Sequence, residues 1–404
     1  MTSINYQLVQ NYPESVVGLF WLSKDDMVGS KNDVSNNQNF NPSRNTVIIC
    51  HGWQNGSIKR NELFNLYSMY SKLFTQNEWI NNNWNVGVFR WIPFADDDDV
   101  TDLNSINVAP CNTECKIHVL NGLTGMRYRE KDGNTFKSIT DVSSKLFGKT
   151  VRDMFVDEYS RFFSNITKHD NQEIRILGHS LGGQLAMVTT AAINATVNLP
   201  KVDRLELLDP YYTGNYRQYY KLDSGNLTYD GYAACISRNA LQCLNPDSDN
   251  PNVAVVWYQC TSLTNVYGIS DSNDAMKKPV VWEGVRFWYI SDLNQAERHS
   301  AIIPWYFQTL NYNPPQYIYT GTKWWSAKWL ECPNESGFSA NTSISYIKQN
   351  MNLKCYWIQA NKSYGVDDTA IKENNGATTF KVNDDIFAKE IGDYASSVDL
   401  LEIF

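Results

Sequence analysis

The sequence predicts an α/β protein with a mostly parallel central sheet and helices on both faces. Three observations carry this. Apolar runs of strand length recur without polar alternation, Thr46–Cys50, Trp84–Trp91 and Ile174–Leu177 among them, and continuous runs are what a sheet covered on both faces requires. Segments with the 3.6-residue apolar spacing of amphipathic helices alternate with these runs, which is the rhythm of the α/β class. One run, Glu173–Leu177, also passes without a gap through a glycine-rich turn into an Ala-rich helical stretch that reaches Ala192.

Residues 1–45 hold one strand, Val16–Leu22, and then a polar Asn-rich loop. The strand Thr46–Cys50 ends in His51-Gly52-Trp53-Gln54-Asn55-Gly56. Residues 60–76 space apolar groups as an amphipathic helix, and Trp84–Trp91 is the next strand. Asp96–Asp99 then opens a stretch without clear period that runs to Asp141. Because strand–helix alternation resumes beyond it, residues 95–141 read as an insertion, and a carboxylate run of this kind reads as a solvated loop in preference to a metal site. Ser144–Phe163 has helical spacing and Ile174–Leu177 is the strand into the glycine turn. Asp203–Asp209, Asn252–Gln259 and Val285–Ile290 are further strands, residues 227–250 are a second insertion, and Ser300–Leu310 is a short helix. Beyond residue 311 the chain is aromatic and polar, with Trp324, Trp325 and Trp329, and residues 361–404 are a C-terminal extension. No internal repeat interrupts this order, and 1–404 reads as one domain.

Composition narrows the function. A chain of 404 residues with 42% hydrophobic and 13% aromatic content can fill a large core. The net charge of −8, with no run of Lys and Arg, argues against nucleic acid and against docking on anionic membranes. No apolar stretch is long enough for a transmembrane segment, and nothing in the sequence sets an oligomeric state. The N-terminus has neither a basic region nor an apolar core of the signal-peptide kind. Either the chain is cytoplasmic or a leader has been trimmed from a secreted protein. The eight cysteines and the Asn-x-Ser/Thr acceptors at Asn55, Asn165, Asn194, Asn226, Asn334, Asn341 and Asn361 favour secretion. Cys50, inside a buried-looking strand, reads as a free thiol packed as a small apolar group, and Cys332–Cys355 is the one pairing suggested.

The glycine turn reads Gly178-His179-Ser180-Leu181-Gly182-Gly183. In strand–turn–helix context this Gly-x-Ser-x-Gly pattern is a nucleophile elbow, which holds Ser180 exposed at the tip of an α/β-hydrolase sheet. Gly178 and Gly182 suit a turn too tight for side chains. A serine nucleophile needs a base, and the base an orienting carboxylate, in the chain order Ser, Asp or Glu, His. Of the five histidines only His299 follows Ser180, and His179, beside the serine, must point away from it. For the acid, Asp209 is best placed, ending an apolar strand before Pro210; Asp223, Asp230, Asp271, Asp274 and Asp292 also lie in the interval without capping so clear a strand. An oxyanion hole needs two converging N–H donors. Leu181, after the nucleophile, offers one, and Trp53, in the loop where Gly52 lets the backbone approach, offers the other. This chemistry requires no cofactor and no metal.

These residues together resemble the animal-type lipase family, which includes pancreatic lipase and the secreted phospholipases A1. Phe40–Trp53 resembles that family's strand into the oxyanion loop, Phe147–Met154 its helix before the elbow, and Leu207-Leu208-Asp209-Pro210 its Gly-Leu-Asp-Pro acid turn with Leu in place of Gly. Arg298-His299-Ser300 before Trp305-Tyr306-Phe307 resembles its His-x-Arg turn and aromatic helix, with Ser300-Ala301 in place of x-Arg. The likeness spans residues 16–360 and leaves no room for a C-terminal β-sandwich, so it points to the single-domain, phospholipase A1-like layout. It implies hydrolysis of lipid carboxylic esters at a transient lipid interface, with a lipid or small ester as substrate. Ser291–Arg298, before His299, resembles a truncated lid. Of the family's calcium ligands Asp223 matches one, while Asn226 stands where a second carboxylate is expected. The family also includes yolk proteins that bind or store without turnover. They have lost the serine, whereas this chain keeps Ser180, Asp209 and His299.

Overall fold

The structure is a computed structural model that describes residues 10–24, 26–31, 37–60, 76–98, 111–120, 125–214, 232–263, 270–277, 279–285, 293–311, 338–351 and 356–358. The strands among them are β1 Gly18–Ser23, β2 Asp26–Ser30, β3 Asn45–Cys50, β4 Trp84–Arg90, β5 Arg127–Arg129, β6 Phe136–Ser138, β7 Ile174–His179, β8 Arg204–Leu208, β9 Ala254–Gln259, β10 Val281–Gly284 and β11 Tyr356–Ile358. The helices are α1 Gln76–Asn81, α2 Ile92–Ala95, α3 Cys111–His118, α4 Val151–Phe163, α5 Leu181–Ala195, α6 Ala233–Leu244, α7 Asp274–Lys277, α8 Gln295–Gln308 and α9 Ile344–Asn350.

The main sheet runs β11-β10-β9-β8-β7-β3-β4-β1-β2. From β4 to β11 neighbours are parallel, while β1 lies antiparallel between β4 and β2. Every residue of β4, β7, β8 and β9 is buried, as a sheet covered on both faces requires. From β3 the chain moves outward to β4 and then returns on the other side as β7. The C-terminal ends of β3 and β7 therefore flank a topological switch point, where open α/β sheets bind ligands. Cys50 pairs with Gly178 across this point, so the loop after β3 and the turn after β7 emerge side by side. With its crossover at β3–β4 and the elbow after β7, this is the α/β-hydrolase fold.

Helix boundaries depart from the sequence expectation in instructive ways. The helix expected over Ser144–Phe163 begins only at Val151, because Gly148 takes a left-handed φ of 68° and Thr150 caps the start. The Thr150 hydroxyl accepts from Asp153 N–H while the Asp153 carboxylate accepts from Thr150 N–H, a reciprocal capping box. The helix expected from Ser300 starts at Gln295, so His299 sits in its second turn. The Asn294 side chain, which accepts from Glu297 N–H, moves the start back. A strand stands at Val281–Gly284, just before the one expected at Val285–Ile290, of which residues 286–290 lie outside the described residues, as do most of the 60–76 helix, Cys332, Cys355, the tryptophans at 324, 325 and 329, and the tail from 361.

The larger correction concerns Asp96–Asp99. Asp96 and Asp97 are fully buried, not solvated, and the stretch after them contains helix α3 and the hairpin β5–β6. Likewise the 227–250 segment holds α6, which packs on the elbow helix α5. Cys50, Cys243 and Cys260 are free thiols, as expected for Cys50. No helix of the described residues is long and apolar enough to cross a membrane.

Candidate active site

Ser180 stands between β7 and α5 with φ 56° and ψ −128°, a backbone state that costs about 1–3 kcal/mol and persists only where its surroundings over-determine it. They do so here. Ser180 N–H donates to Leu208 O at 3.2 Å, and Ser180 O accepts from Gly183 N–H at 2.9 Å and Tyr211 N–H at 3.2 Å. A Cβ on Gly178 would overlap the Gly182 carbonyl, and one on Gly182 would overlap the Cys50 carbonyl. Both elbow glycines are thus required by close backbone approach. Gly183 is a third: a Cβ there would lie 2.6 Å from Pro210 Cβ, a requirement visible only once the acid turn is seen to pack beneath the elbow.

Asp209 leaves β8 at the same edge of the sheet, also at positive φ, 45°, with its N–H bound to Tyr258 O at 2.7 Å. Its carboxylate is fully buried and satisfied by four donors. Oδ1 accepts from Cys260 N–H at 3.0 Å and Thr261 N–H at 3.3 Å. Oδ2 accepts from the Thr261 hydroxyl and from His299 Nδ1, each at 2.6 Å. Burial alone would raise the acid's pKa, but His299, Thr261 and the Cys260 N–H together hold it below the ordinary carboxylate range. Of the six aspartates weighed, it is Asp209 that meets His299. Asp271 and Asp274 lie elsewhere, and residues 223, 230 and 292 are outside the described residues.

His299 is brought over the elbow by a residue that sequence reasoning only placed out of the way. His179, just before the serine, sets its ring 4.3 Å from the His299 ring, the planes tilted by 44°, and bonds His299 O through Nε2 at 2.7 Å. Burial and the neighbouring His299 hold His179 neutral, well below the usual histidine range. The bond between Ser180 Oγ and His299 Nε2 is not closed in this structure; such bonds are commonly long before substrate binds. Thr261 and Cys260 were also missed. Their signal is the β8–β9 register, in which Leu208 pairs with Tyr258 and so sets residues 260–261 opposite Asp209.

The loop after β3 crosses directly in front of the serine. A Cβ on Gly52 would sit 2.6 Å from Ser180 Cβ and 3.1 Å from Oγ, so glycine is required there. His51 anchors the loop: its Nε2 accepts from Trp91 N–H at 3.1 Å, its Nδ1 bonds Gly52 O at 2.9 Å, and its ring stacks on Trp91. Burial pushes its pKa down to about 3, with Arg90 adding to the effect against the Gly52 bond. Trp53, next along, gives its indole N–H to Asp97 O at 2.9 Å. Leu181 begins α5, where the first N–H groups have no intrahelical acceptor. Residues 223 and 226, compared above with the family's calcium ligands, lie outside the described residues.

No family model matches the chain, and no curated protein matches it. Among solved structures it is similar to a lipase/esterase from Lactobacillus plantarum at 9% identity and TM-score 0.23, covering 64% of this chain and 77% of that one. A lipase-esterase related protein from Clostridium acetobutylicum aligns at 13% identity and TM-score 0.21, covering 54% and 75%. A carboxylesterase from Lactobacillus plantarum aligns at 9% and 0.23, covering 64% and 70%. Scores this low carry no weight; the fold assignment rests on strand order and the elbow.

Proposed function

We propose that the protein is a serine ester hydrolase acting on lipid carboxylic esters through an acyl-enzyme. The observation that carries this reading is the 2.6 Å contact between His299 Nδ1 and the buried Asp209 carboxylate, with the His299 ring packed at a tilt against that of the residue preceding a strained Ser180. In this reading Ser180 Oγ attacks the ester carbonyl carbon and His299 Nε2 takes its proton. The Trp53 and Leu181 N–H groups hold the oxyanion, and the proton passes to the departing alcohol as the C–O bond breaks. Water, deprotonated by the same histidine, then cleaves the acyl–Ser180 bond. Asp209 fixes the histidine tautomer throughout, and no metal or cofactor takes part in these steps.

The lipid class follows from the resemblance to the animal-type lipases and their phospholipase A1-like members. Wild type is expected to hydrolyse phosphatidylcholine or a triacylglycerol and Ser180→Ala neither. A preference for the phospholipid would favour the short-lid reading. Equal turnover by Ser180→Ala would rule the mechanism out, and no cleavage of either lipid by wild type would move the reading to lipid binding or storage.

A further inference from the structure

We propose that Asp96 and Asp97 are positioning residues for the oxyanion loop, holding the Trp53 N–H in place against Ser180. The inference rests on the ester-hydrolase reading and concerns residues that the reaction itself does not touch.

The geometry begins with β3 and β4. They are parallel neighbours, so the loop after β3, residues 51–58, and the chain after β4, residues 91–98, leave the same edge of the sheet together. They are cross-linked at almost every step. Gln54 N–H donates to Ala95 O at 3.1 Å. The Asp96 carboxylate accepts from Gly56 N–H at 2.5 Å through Oδ1 and from Ile58 N–H at 2.8 Å through Oδ2. The Trp53 indole N–H reaches Asp97 O. Trp53 is therefore tied through its own side chain, and the residues on its C-terminal side are tied through their backbones. On the other side Gly52 already touches Ser180, which stops the loop from closing further. The carboxylate clamp stops it from swinging away.

Two adjacent buried carboxylates are costly and persist only with dedicated partners. Asp97 has them. Lys116 Nζ lies 2.7 Å from Oδ2, Arg127 bridges both oxygens at 2.8 and 2.7 Å, and Asn112 Nδ2 meets Oδ2 at 2.5 Å. Arg129 Nε donates to Asp96 O at 3.0 Å and its guanidinium pairs with Asp98 at 2.6 Å. All four partners come from the inserted stretch, α3 and β5. The insertion thus returns to neutralise the acids that grip the oxyanion loop. Between them Gly56, Ile58, Lys116, Arg127 and Asn112 occupy both oxygens of each acid, an arrangement for holding backbone in place.

The test compares Asp96→Asn, Asp97→Asn and Trp53→Phe with wild type, with active sites counted by a fluorophosphonate. Trp53→Phe deletes the indole bond along with part of the ring's packing, leaves both acids in place, and keeps the test decisive if an Asp variant fails to fold. Displacing one oxyanion donor costs on the order of tenfold to a hundredfold in turnover. The expectation is a fall of kcat per active site in that range for the Asp variants, and a smaller one for Trp53→Phe, with KM within about twofold. Affinity for a trifluoromethyl ketone, whose adduct needs the oxyanion donors, should weaken by the same factor as kcat. A merely structural role would lower the number of active sites and leave both values per site unchanged, and that result would overturn the inference. If wild type itself neither reacts with the fluorophosphonate nor binds the ketone, the ester-hydrolase reading has failed and the inference falls with it. Unchanged variants of a reactive wild type would sink the inference alone.

Discussion

Asp209 is fully buried and its charge rests on four donors, and the Thr261 hydroxyl shares Oδ2 with His299. Thr261→Val keeps the shape and removes one of the two bonds to that oxygen. A hydrogen bond to a charged group contributes about 1.5–3 kcal/mol, and each ~1.4 kcal/mol is tenfold in rate. If the acid holds the tautomer of a catalytic His299, kcat/KM should fall by about tenfold or more in this variant. Steady-state kinetics with a soluble ester would check this, and an unchanged kcat/KM would separate Thr261 from the chemistry. At this scale the sequence was readable where the requirement is local. Ser180, Gly178 and Gly182 follow from one tight turn, and His299 from elimination among five histidines. Thr261 was not readable because it meets Asp209 only through the pairing of β8 with β9. His179 escaped notice because a side chain that turns away from the serine has to be followed to its destination, the ring of His299.

The oxyanion loop is held as a unit by its neighbours, and His51 makes part of that hold dependent on pH. Its Nε2 accepts from Trp91 N–H, a bond available only to the neutral ring. The folded pKa of about 3 lies below the ordinary 6.5. As pH falls, the unfolded chain therefore takes up the proton first. Stability from this residue is complete above about pH 6.5 and is lost as pH drops toward 3, at about 1.4 kcal/mol per pH unit for one proton. Urea unfolding of wild type and His51→Gln across that range should show the stability gap narrowing as pH falls; a constant gap would contradict the assignment of a neutral, hydrogen-bonded His51. Element boundaries were less legible than element types. α4 starts late because Thr150 and Asp153 form a capping box and Gly148 turns the chain. α8 starts early because Asn294 supplies a cap. Caps displace helix ends without disturbing the apolar periodicity that announces the helix.

Across the whole molecule, the parallel sheet and its order of strand and helix were legible because burial on both faces leaves an unbroken apolar signature. The insertion was not. Four acidic residues in a row look solvated in one dimension, and only the fold brings Lys116 and Arg127 to the buried Asp97 and Arg129 to Asp96 and Asp98. Charge that is neutralised by distant partners leaves no local trace. The same network joins the inserted stretch to the elbow helix, for Glu114 of α3 accepts from Gln184 of α5 at 2.7 Å and from Thr213 N–H at 2.9 Å. The insertion is thus fastened to both sides of the switch point, to the loop after β3 and to the elbow. The central claim is that this switch point holds an activated serine. Its most direct test is fluorophosphonate labelling of the native protein, with the modified peptide located by mass spectrometry. The account predicts a single adduct on Ser180, not formed when the protein is denatured beforehand and formed more slowly in His299→Ala. Native protein left unmodified, or modified at some other residue with Ser180 intact, would contradict it.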